Sequence, residues 1–304
     1  MTKRLVLTAI AILGIAGTAA AAPLDLPSNS PVYFQFNNLE QTSFSNDLVV
    51  PGYAAAVGTQ GNWGVFNISS IQNGAVSIPH LNISGGPAFF SDDGPGGTSG
   101  QITGIFYGIQ NLTTTTATGG HIDLFWHDAG ADTITAACLA GTTCGPNAAT
   151  VAQFTSGTFL ARLDFNNGII DGNPLVYIKG TAPDSVTGGA EGTADSFADV
   201  NLATKGPWTN VLNGNWFFVD PNGNGIRGEA LEQRDVRFSN RFNQLPSWGV
   251  GAQNCLNAAN ACGFQSNDPG RVFTAEVIPE PATLTLLGLG MAGLGYRRRR
   301  QNKA

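Results

Sequence analysis

The stretch of this sequence best suited to chemistry is DPNGNGIRGE, which begins at Asp220. It places Asp220, Asn222 and Asn224 at alternate positions, and Gly225 follows them directly. Carboxylate and amide oxygens with this spacing can converge on one hard cation, and calcium takes only oxygen ligands in proteins. Glycine permits the sharp turn that brings such oxygens together. The spacing therefore predicts a calcium site formed by Asp220, Asn222, Asn224 and Glu229.

This segment resembles the calcium loops of EF-hands, dockerins and thrombospondin repeats, but it departs from the EF-hand pattern in two ways. The position that should close an EF-hand loop with a bidentate carboxylate is Leu231, and Glu229 and Glu232 flank it out of register. The preceding letters NWFFV favour a strand instead of an entering helix. An Asn- and Gly-rich turn between two strands, without any ion, is the alternative.

A second group of polar residues lies in the segment HIDLFWHD, which starts at His121. Strand alternation places three apolar residues on one face and His121, Asp123 and His127 on the other. Metal binding by His121 and Asp123 is one interpretation. The two histidines would lie about 20 Å apart on a straight strand at ~3.3 Å per residue, so they cannot share one ion. We expect these polar side chains to face solvent.

No motif of a common enzyme class occurs in the sequence. It contains no G-x-S-x-G elbow, HExxH pair, P-loop or dinucleotide fingerprint. The adjacent acids Asp92 and Asp93 do not by themselves supply the carboxylates across a cleft that a glycosidase needs. We therefore predict no catalytic residues and expect a protein that is not an enzyme.

The four cysteines form two closely spaced pairs, Cys138 with Cys144 and Cys255 with Cys262. An oxidising compartment favours disulfides, and four cysteines allow three connectivities. Two local bridges, Cys138–Cys144 and Cys255–Cys262, are the simplest, and each would stiffen a surface loop. A zinc site is the alternative, although zinc would require closer cysteine pairs or nearby histidines.

The elements that must position these groups are predicted to be strands. Short β-branched and aromatic segments recur between Gly, Asn and Asp turns. The predicted strands cover residues 32–36, 62–69, 101–113, 121–128, 157–165, 174–180, 215–220 and 271–277. This pattern indicates one large all-β domain, a β-sandwich or barrel, with few short helices. The best helix candidate begins at Gly228, and residues 185–204 are expected to form a long loop.

The N-terminus has the three parts of a secretory signal. A charged start that contains Lys3 precedes an apolar run, and the small residues Ala19-Ala20-Ala21 follow. An uncleaved membrane anchor is the alternative, which the small-residue end disfavours. We expect residues 1–21 to be a signal peptide and residues 22–276 to be an extracytoplasmic β-rich domain.

The C-terminus also has three parts: a Pro-Glu-Pro motif, an uncharged run over residues 282–296 and four consecutive arginines. As a helix at 1.5 Å per residue the run would be about 22 Å long, which is short of the roughly 30 Å hydrocarbon core but can span it with local thinning or snorkelling. The arginines favour the cytoplasmic side, and they argue against a buried helix of a soluble domain. The motif and tail residues are Pro279, Glu280, Pro281, Arg297, Arg298, Arg299 and Arg300.

This order of parts resembles the PEP-CTERM sorting signal, over residues 277–304 only. The resemblance implies a transmembrane sorting helix, processing by an exosortase of a Gram-negative bacterium, and transient inner-membrane anchoring with the domain facing the periplasm. It also implies later release to the cell surface or the extracellular space. Bacteria with exosortases usually make an extracellular polysaccharide, and some relatives are associated with floc formation. No LPxTG sequence is present, so a sortase is not implied.

The charge balance excludes nucleic acid as a partner. Seven of the 15 Lys and Arg residues lie in the two terminal segments, which leaves eight against the 21 Asp and Glu residues of the whole chain, Glu280 included. A chain without a basic patch cannot hold a phosphate backbone. Two functions remain: a non-enzymatic structural or adhesive component of biofilm, floc or exopolysaccharide, and a secreted carbohydrate-binding or carbohydrate-active protein. Exposed tryptophans along a groove would favour the second.

Overall fold

The computed structural model describes residues 23–27, 32–45, 48–56, 58–75, 84–131, 134–181, 192–249 and 260–273. The predicted signal peptide, the sorting segment and Cys255 lie outside these residues. The strands are β1 (Val32–Thr42), β2 (Asn62–Ala75), β3 (Ser84–Ser91), β4 (Gln101–Ile109), β5 (Thr116–Ala117), β6 (His121–His127), β7 (Thr158–Asn166), β8 (Ile178–Thr181), β9 (Gly192–Val200), β10 (Phe217–Phe218), β11 (Gln233–Arg234), β12 (Val236–Gln244) and β13 (Cys262–Phe273). The helices are α1 (Ala136–Leu139), α2 (Ala148–Thr155) and α3 (Thr209–Leu212), and a 3₁₀ turn spans Pro246–Trp248.

Eight strands form a closed antiparallel barrel. They follow the order β1, β2, β4, β6, β7, β9, β12 and β13, and β13 pairs with β1 to complete the circle. Strand β9 pairs with β12 along one edge and divides its other edge between β7 and β8. Closure satisfies the backbone hydrogen-bonding groups that an open sheet would leave at its edges. The all-β, barrel-like prediction is therefore confirmed.

The two ends of the barrel differ. We call one the terminal end, because β1 begins and β13 finishes there, with Tyr33 paired to Phe273. The other is the mouth end, where Thr42 pairs with Cys262. At the terminal end the indole nitrogen of the buried Trp208 donates to the carbonyl of Leu24 at 2.7 Å. Residues 23–27 and Trp208 therefore close the terminal end.

The barrel wall has a core on each side of it. Alternate side chains of β1, β2, β4 and β6 point into the lumen, and the others point into a second layer outside the wall. The outer layer is built from α1, α2 and the Pro246–Trp248 turn. Its indole–indole contact places the rings of Trp63 and Trp248 5.7 Å apart. These strands are consequently buried on both faces.

The disulfide Cys138–Cys144 is formed, so that pairing is confirmed. Both cysteines are buried in the outer layer, so the bridge does not merely stiffen a surface loop as the sequence suggested. Cys262 is also disulfide-bonded. Because Cys255 lies outside the described residues, its pairing with Cys262 stays a prediction.

The predicted loop over residues 185–204 is wrong where the structure describes it, because Gly192–Val200 is the barrel strand β9. Its lumen-facing side chains, Ala194, Ser196 and Ala198, are small and give little β propensity. Pairing with β7, β8 and β12 decides the conformation instead.

The predicted helix from Gly228 is also wrong. Gly228 and Leu231 have φ values of 79° and 70°, which belong to the left-handed region and interrupt a right-handed helix. The residues that follow form β11 and the start of β12.

Candidate functional site

The predicted calcium loop connects β10 to β11, which form a two-stranded hairpin. Asp220 is buried, and its Oδ1 accepts the N–H groups of Gly223 at 2.8 Å and Asn224 at 3.1 Å. Its Oδ2 accepts the N–H of Gly225 at 2.8 Å. Each carboxylate oxygen has two lone pairs, so Oδ2 keeps one lone pair for a further partner. Asp220 thus organises the loop and retains limited capacity to bind a cation.

The structure brings the other predicted ligands together around one additional acid, Glu232. The amide nitrogen of Asn222 donates to Glu232 Oε1 at 2.6 Å and to Glu229 Oε2 at 3.3 Å. The amide nitrogen of Asn224 donates to the same Glu229 oxygen at 2.6 Å. The side chains that the sequence spacing selected therefore lie within one cluster.

Glu232 carries the feature that the hairpin alone does not explain. It is only 5% exposed, and among the described residues its Oε2 has no hydrogen-bond partner. A buried carboxylate oxygen without a partner is costly. In the sequence Glu232 is only an acid out of register with an EF-hand loop, because its burial depends on tertiary packing.

A cation at this loop would need mixed ligands. Within the described ranges, no three Asp, Glu, His or Cys side chains group closely enough to hold a metal ion. The oxygens of Glu229 and Glu232 would have to act with amide or main-chain oxygens, which calcium accepts. The calcium site stays a prediction.

Asp123 lies on β6 and faces the outer layer, where it is fully buried. Its two oxygens accept a bidentate pair of hydrogen bonds from Arg162, at 2.6 Å from Nε and 2.7 Å from Nη2. The hydroxyl groups of Tyr53 and Tyr107 donate to Oδ2, the latter at 3.2 Å. The hydrogen bond and charge of Asp123 raise the pKa of Arg162. Because every partner is satisfied, this cluster fits a structural role.

The two histidines of β6 have separate partners. His127 is buried, its Nε2 lies 2.8 Å from the hydroxyl oxygen of Thr103, and burial lowers its pKa. His121 is partly exposed, and its Nδ1 lies 2.6 Å from Asp164 Oδ1. The expected solvent-facing polar strand is therefore wrong for Asp123 and His127, because the outer layer covers that face.

The acids Asp92 and Asp93 anchor a loop. Asp92 accepts hydrogen bonds from the Asn67 amide at 3.0 Å and from the N–H of Gly94 at 2.8 Å. Asp93 accepts the N–H of Thr98 at 2.8 Å, and this bond lowers its pKa. Both acids are accounted for by local structure.

A cavity of about 150 Å³ occupies the mouth-end half of the lumen. Eight phenylalanines contribute to its lining, and they come from strands on all sides of the barrel as well as from the segment after β1. The sequence does not predict this site, because strand alternation does not reveal whether a lumen is filled. The available sequence signal was the alternation in VRFSNRFNQ, the segment that forms β12, which places Phe238 and Phe242 on one face of the strand.

Glu40 of β1 is the one ionisable side chain among the described residues that line the cavity. It is 6% exposed, and its Oε2 accepts a hydrogen bond from the Asn38 amide at 2.9 Å. Burial raises the pKa of Glu40 to about 8, against the opposing effect of that hydrogen bond. Strand alternation places Glu40 on the same face as Phe34 and Phe36, and this was the available sequence signal.

The tryptophans do not form an exposed groove. The structure describes all five of them, and four are buried: Trp63, Trp126, Trp208 and Trp248. Trp216 is partly exposed. The feature that would have favoured a carbohydrate-binding surface is thus not formed by these side chains.

Comparison with known proteins gives one finding, at the C-terminus. The family model for the PEP-CTERM protein-sorting motif matches residues 277–300, which confirms the resemblance. The chain is therefore an exported protein with a membrane-anchored sorting precursor that an exosortase processes. No curated protein and no solved structure matches the chain. Among the helices that the structure describes, none is long and apolar enough to cross a membrane.

Proposed function

We propose that this protein is a non-enzymatic structural or adhesive component of the extracellular matrix of a Gram-negative bacterium. It passes from the periplasmic face of the inner membrane to the cell surface or the surrounding polysaccharide. The observation that carries this proposal is the position of the sorting motif. The motif begins at residue 277, and the closing strand of the barrel ends at Phe273.

This short separation attaches the sorting signal almost directly to the barrel wall. Strand β13 pairs with β1 on one side and with β12 on the other. A load applied at the C-terminus therefore acts on two ladders of backbone hydrogen bonds at once. An anchored or cross-linked barrel with this connection suits a structural unit that must resist pulling.

The proposed partner is extracellular polysaccharide, and its support is the sorting motif. The alternative, a carbohydrate-binding or carbohydrate-active protein, is less well supported because four of the five tryptophans are buried. A matrix role needs no deep saccharide groove, since many weak polar contacts can add up over a surface.

The test compares strains that differ only in this gene. One strain lacks the gene, one carries alanines at Pro279, Glu280 and Pro281, and a matched control carries alanines at Gln301, Asn302 and Lys303. Pro281 restricts Glu280 to extended conformations, which a protease cleft can bind, so the first triple variant should accumulate as a membrane-bound precursor. Intact mass and fractionation measure this, and the control should be processed normally.

Matrix mass and floc formation are measured in the same strains. The deletion strain and the motif variant should lose matrix mass, whereas the control should keep it. Normal matrix in the deletion strain would refute the structural role, and normal processing of the motif variant would refute the sorting mechanism.

We also propose that the Asp220 loop binds calcium and stabilises the domain outside the cell. The specific observation in its favour is the buried Oε2 of Glu232, which has no partner among the described residues. A cation between the loop amides and the two glutamates would satisfy this oxygen.

A further inference from the structure

We propose that the mouth-end half of the barrel lumen binds a small, uncharged, mostly apolar molecule that carries one hydrogen-bond acceptor, such as a carbonyl or hydroxyl oxygen. The inference goes beyond the matrix role, because it assigns a ligand site to the interior of the barrel. It rests on the size of the cavity, the character of its walls, the position of Glu40 and the direction in which the mouth opens.

The size of the cavity limits the ligand. Its volume is about 150 Å³. Small eight-stranded barrels are either filled by side chains or hold one small ligand. An apolar cavity of roughly 150 Å³ in another protein accepts benzene. The lumen is therefore large enough for one aromatic ring or a short branched alkyl group.

The walls are aromatic and pack against each other around the open space. The rings of Phe36 and Phe66 lie 5.6 Å apart, and those of Phe165 and Phe238 lie 5.7 Å apart. At the mouth the ring of Phe242 lies 5.2 Å from its neighbour Phe264. Such paired rings hold fixed positions, so they leave a defined apolar surface for a ligand.

The ionisable feature of the site is Glu40, and the other polar residues of the lining carry only amide or hydroxyl groups. Its Oε2 accepts the Asn38 amide, whereas its Oε1 has no hydrogen-bond partner among the described residues. No Lys, Arg or His stands among the cavity-lining residues that the structure describes. A buried acid without a counterion favours its neutral form, which has an O–H to donate. A ligand oxygen would accept this hydrogen bond, and an anionic ligand would be disfavoured beside the carboxyl group.

Asn38 is itself held in place. Its Oδ1 accepts a hydrogen bond from the Asn240 amide at 3.2 Å, and the hydroxyl of Ser266 also donates to it. These contacts link β1 to β12 and β13 across the wall. They fix the amide that in turn positions the Glu40 carboxyl group.

The mouth is accessible in the anchored protein. The cavity lining includes the exposed residues Thr113, Thr114 and Thr115, which lie on the connection between β4 and β5 at the mouth end. Phe273, the last described residue before the sorting motif, lies at the opposite end. The cavity therefore opens away from the end that leads to the membrane.

The experiment measures binding of two probes of similar shape to the purified mature protein. Acetophenone carries a carbonyl oxygen, and isopropylbenzene does not. Titration calorimetry or ligand-observed NMR gives the dissociation constants. The variants are Ala194→Leu, which fills the lumen from β9, and Glu40→Leu. Ala203→Leu, at an exposed loop position, is the matched control.

Both probes should bind the wild type and the Ala203→Leu control, and neither should bind Ala194→Leu. Glu40→Leu should weaken the binding of acetophenone by up to about tenfold, because one neutral hydrogen bond contributes roughly 1 kcal/mol. The affinity for isopropylbenzene should not change. Glu40→Gln keeps an N–H donor and should retain most of the acetophenone affinity. Absence of binding at millimolar probe, or equal binding to Ala194→Leu, would overturn the lumen site. Equal loss of both probes in Glu40→Leu would overturn the role of Glu40.

Discussion

Among the described side chains of the barrel strands, one buried carboxyl group lies on each side of the wall, and the two have very different surroundings. On the outer side, Asp123 meets the guanidinium of Arg162 and the hydroxyls of Tyr53 and Tyr107. On the inner side, Glu40 meets one amide and faces an open cavity. The outer group is fully satisfied, whereas the inner one has capacity to spare.

This difference separates structural from ligand-binding use of a buried acid. An ion pair with complete hydrogen bonding fixes the wall and leaves nothing for a ligand. An acid with one partner beside empty space is retained at a cost in stability, unless a ligand completes its bonds. Glu232 in the hairpin loop resembles Glu40, because one of its oxygens has no partner in the described part of the chain.

The largest expected effect concerns the outer side. Asp123→Asn should lower the free energy of unfolding by about 3–5 kcal/mol, because it leaves the Arg162 charge without its buried partner. Asp171→Asn is the control, since Asp171 and Arg227 form an exposed pair and should contribute less than about 1 kcal/mol. Denaturant unfolding measures both. Equal losses would mean that the burial of Asp123 has no special weight.

The next prediction tests whether a cation binds the unpartnered carboxylate oxygen of Glu232. Free calcium at about 100 times its dissociation constant should stabilise the protein by about 2.7 kcal/mol. Glu232→Gln and Asp220→Ala should each abolish the rise in melting temperature, whereas Asp25→Asn at an exposed site should not. An unchanged melting curve at millimolar calcium would leave the loop an ordinary hairpin turn.

A slightly smaller loss of stability is expected when the disulfide in the outer layer, which covers Asp123, is removed. Replacing Cys138 and Cys144 by serine should cost about 2–3 kcal/mol, because the bridge closes a short loop. The melting temperature measures this loss, and the wild type under reducing conditions should melt no higher than the variant, because reduction also breaks the bridge that Cys262 forms. If the double variant has the same melting temperature as the wild type, the bridge does not hold the outer layer on the wall.

The smallest effect, for a step of one pH unit, concerns the protonation of Glu40. Its pKa is raised from 4.5 to about 8 in the folded state, so the folded protein keeps a proton that the unfolded chain loses across this range. The Glu40 contribution to stability is thus complete below about pH 4.5 and declines as the pH rises to about 8, by at most about 1.4 kcal/mol per pH unit. Glu40→Gln removes this contribution. The difference in unfolding free energy between wild type and variant should therefore change across the range, and parallel profiles would contradict it.

Local sequence patterns predicted much of the wall. Alternating and β-branched segments identified β1, β2, β4, β6 and β7, because strand periodicity is a property of neighbouring residues. It did not identify β9, whose side chains are mostly small or polar, or β12, whose apolar residues are interrupted by Arg and Asn. Those strands exist because β9 and β12 pair with each other and with distant strands.

The residues of the candidate sites also divide into those that local spacing predicted and those that only the folded structure revealed. Spacing alone grouped Asp220, Asn222, Asn224 and Glu229, and the structure does place them in one cluster. Spacing could not select Glu232 or Glu40, because neither forms a motif with its neighbours. Their importance comes from burial, which depends on residues far away in the chain.

The sequence by itself determined the all-β class, the Cys138–Cys144 bridge and the C-terminal sorting motif, because each depends on residues close together in the chain. Only the tertiary structure decided that the strands close into a barrel, that an outer layer buries Asp123, and that the lumen keeps a cavity beside Glu40. Alternation shows that a strand has two faces. What covers each face, and whether the space between opposite walls is filled, depends on the packing of strands that are far apart in sequence.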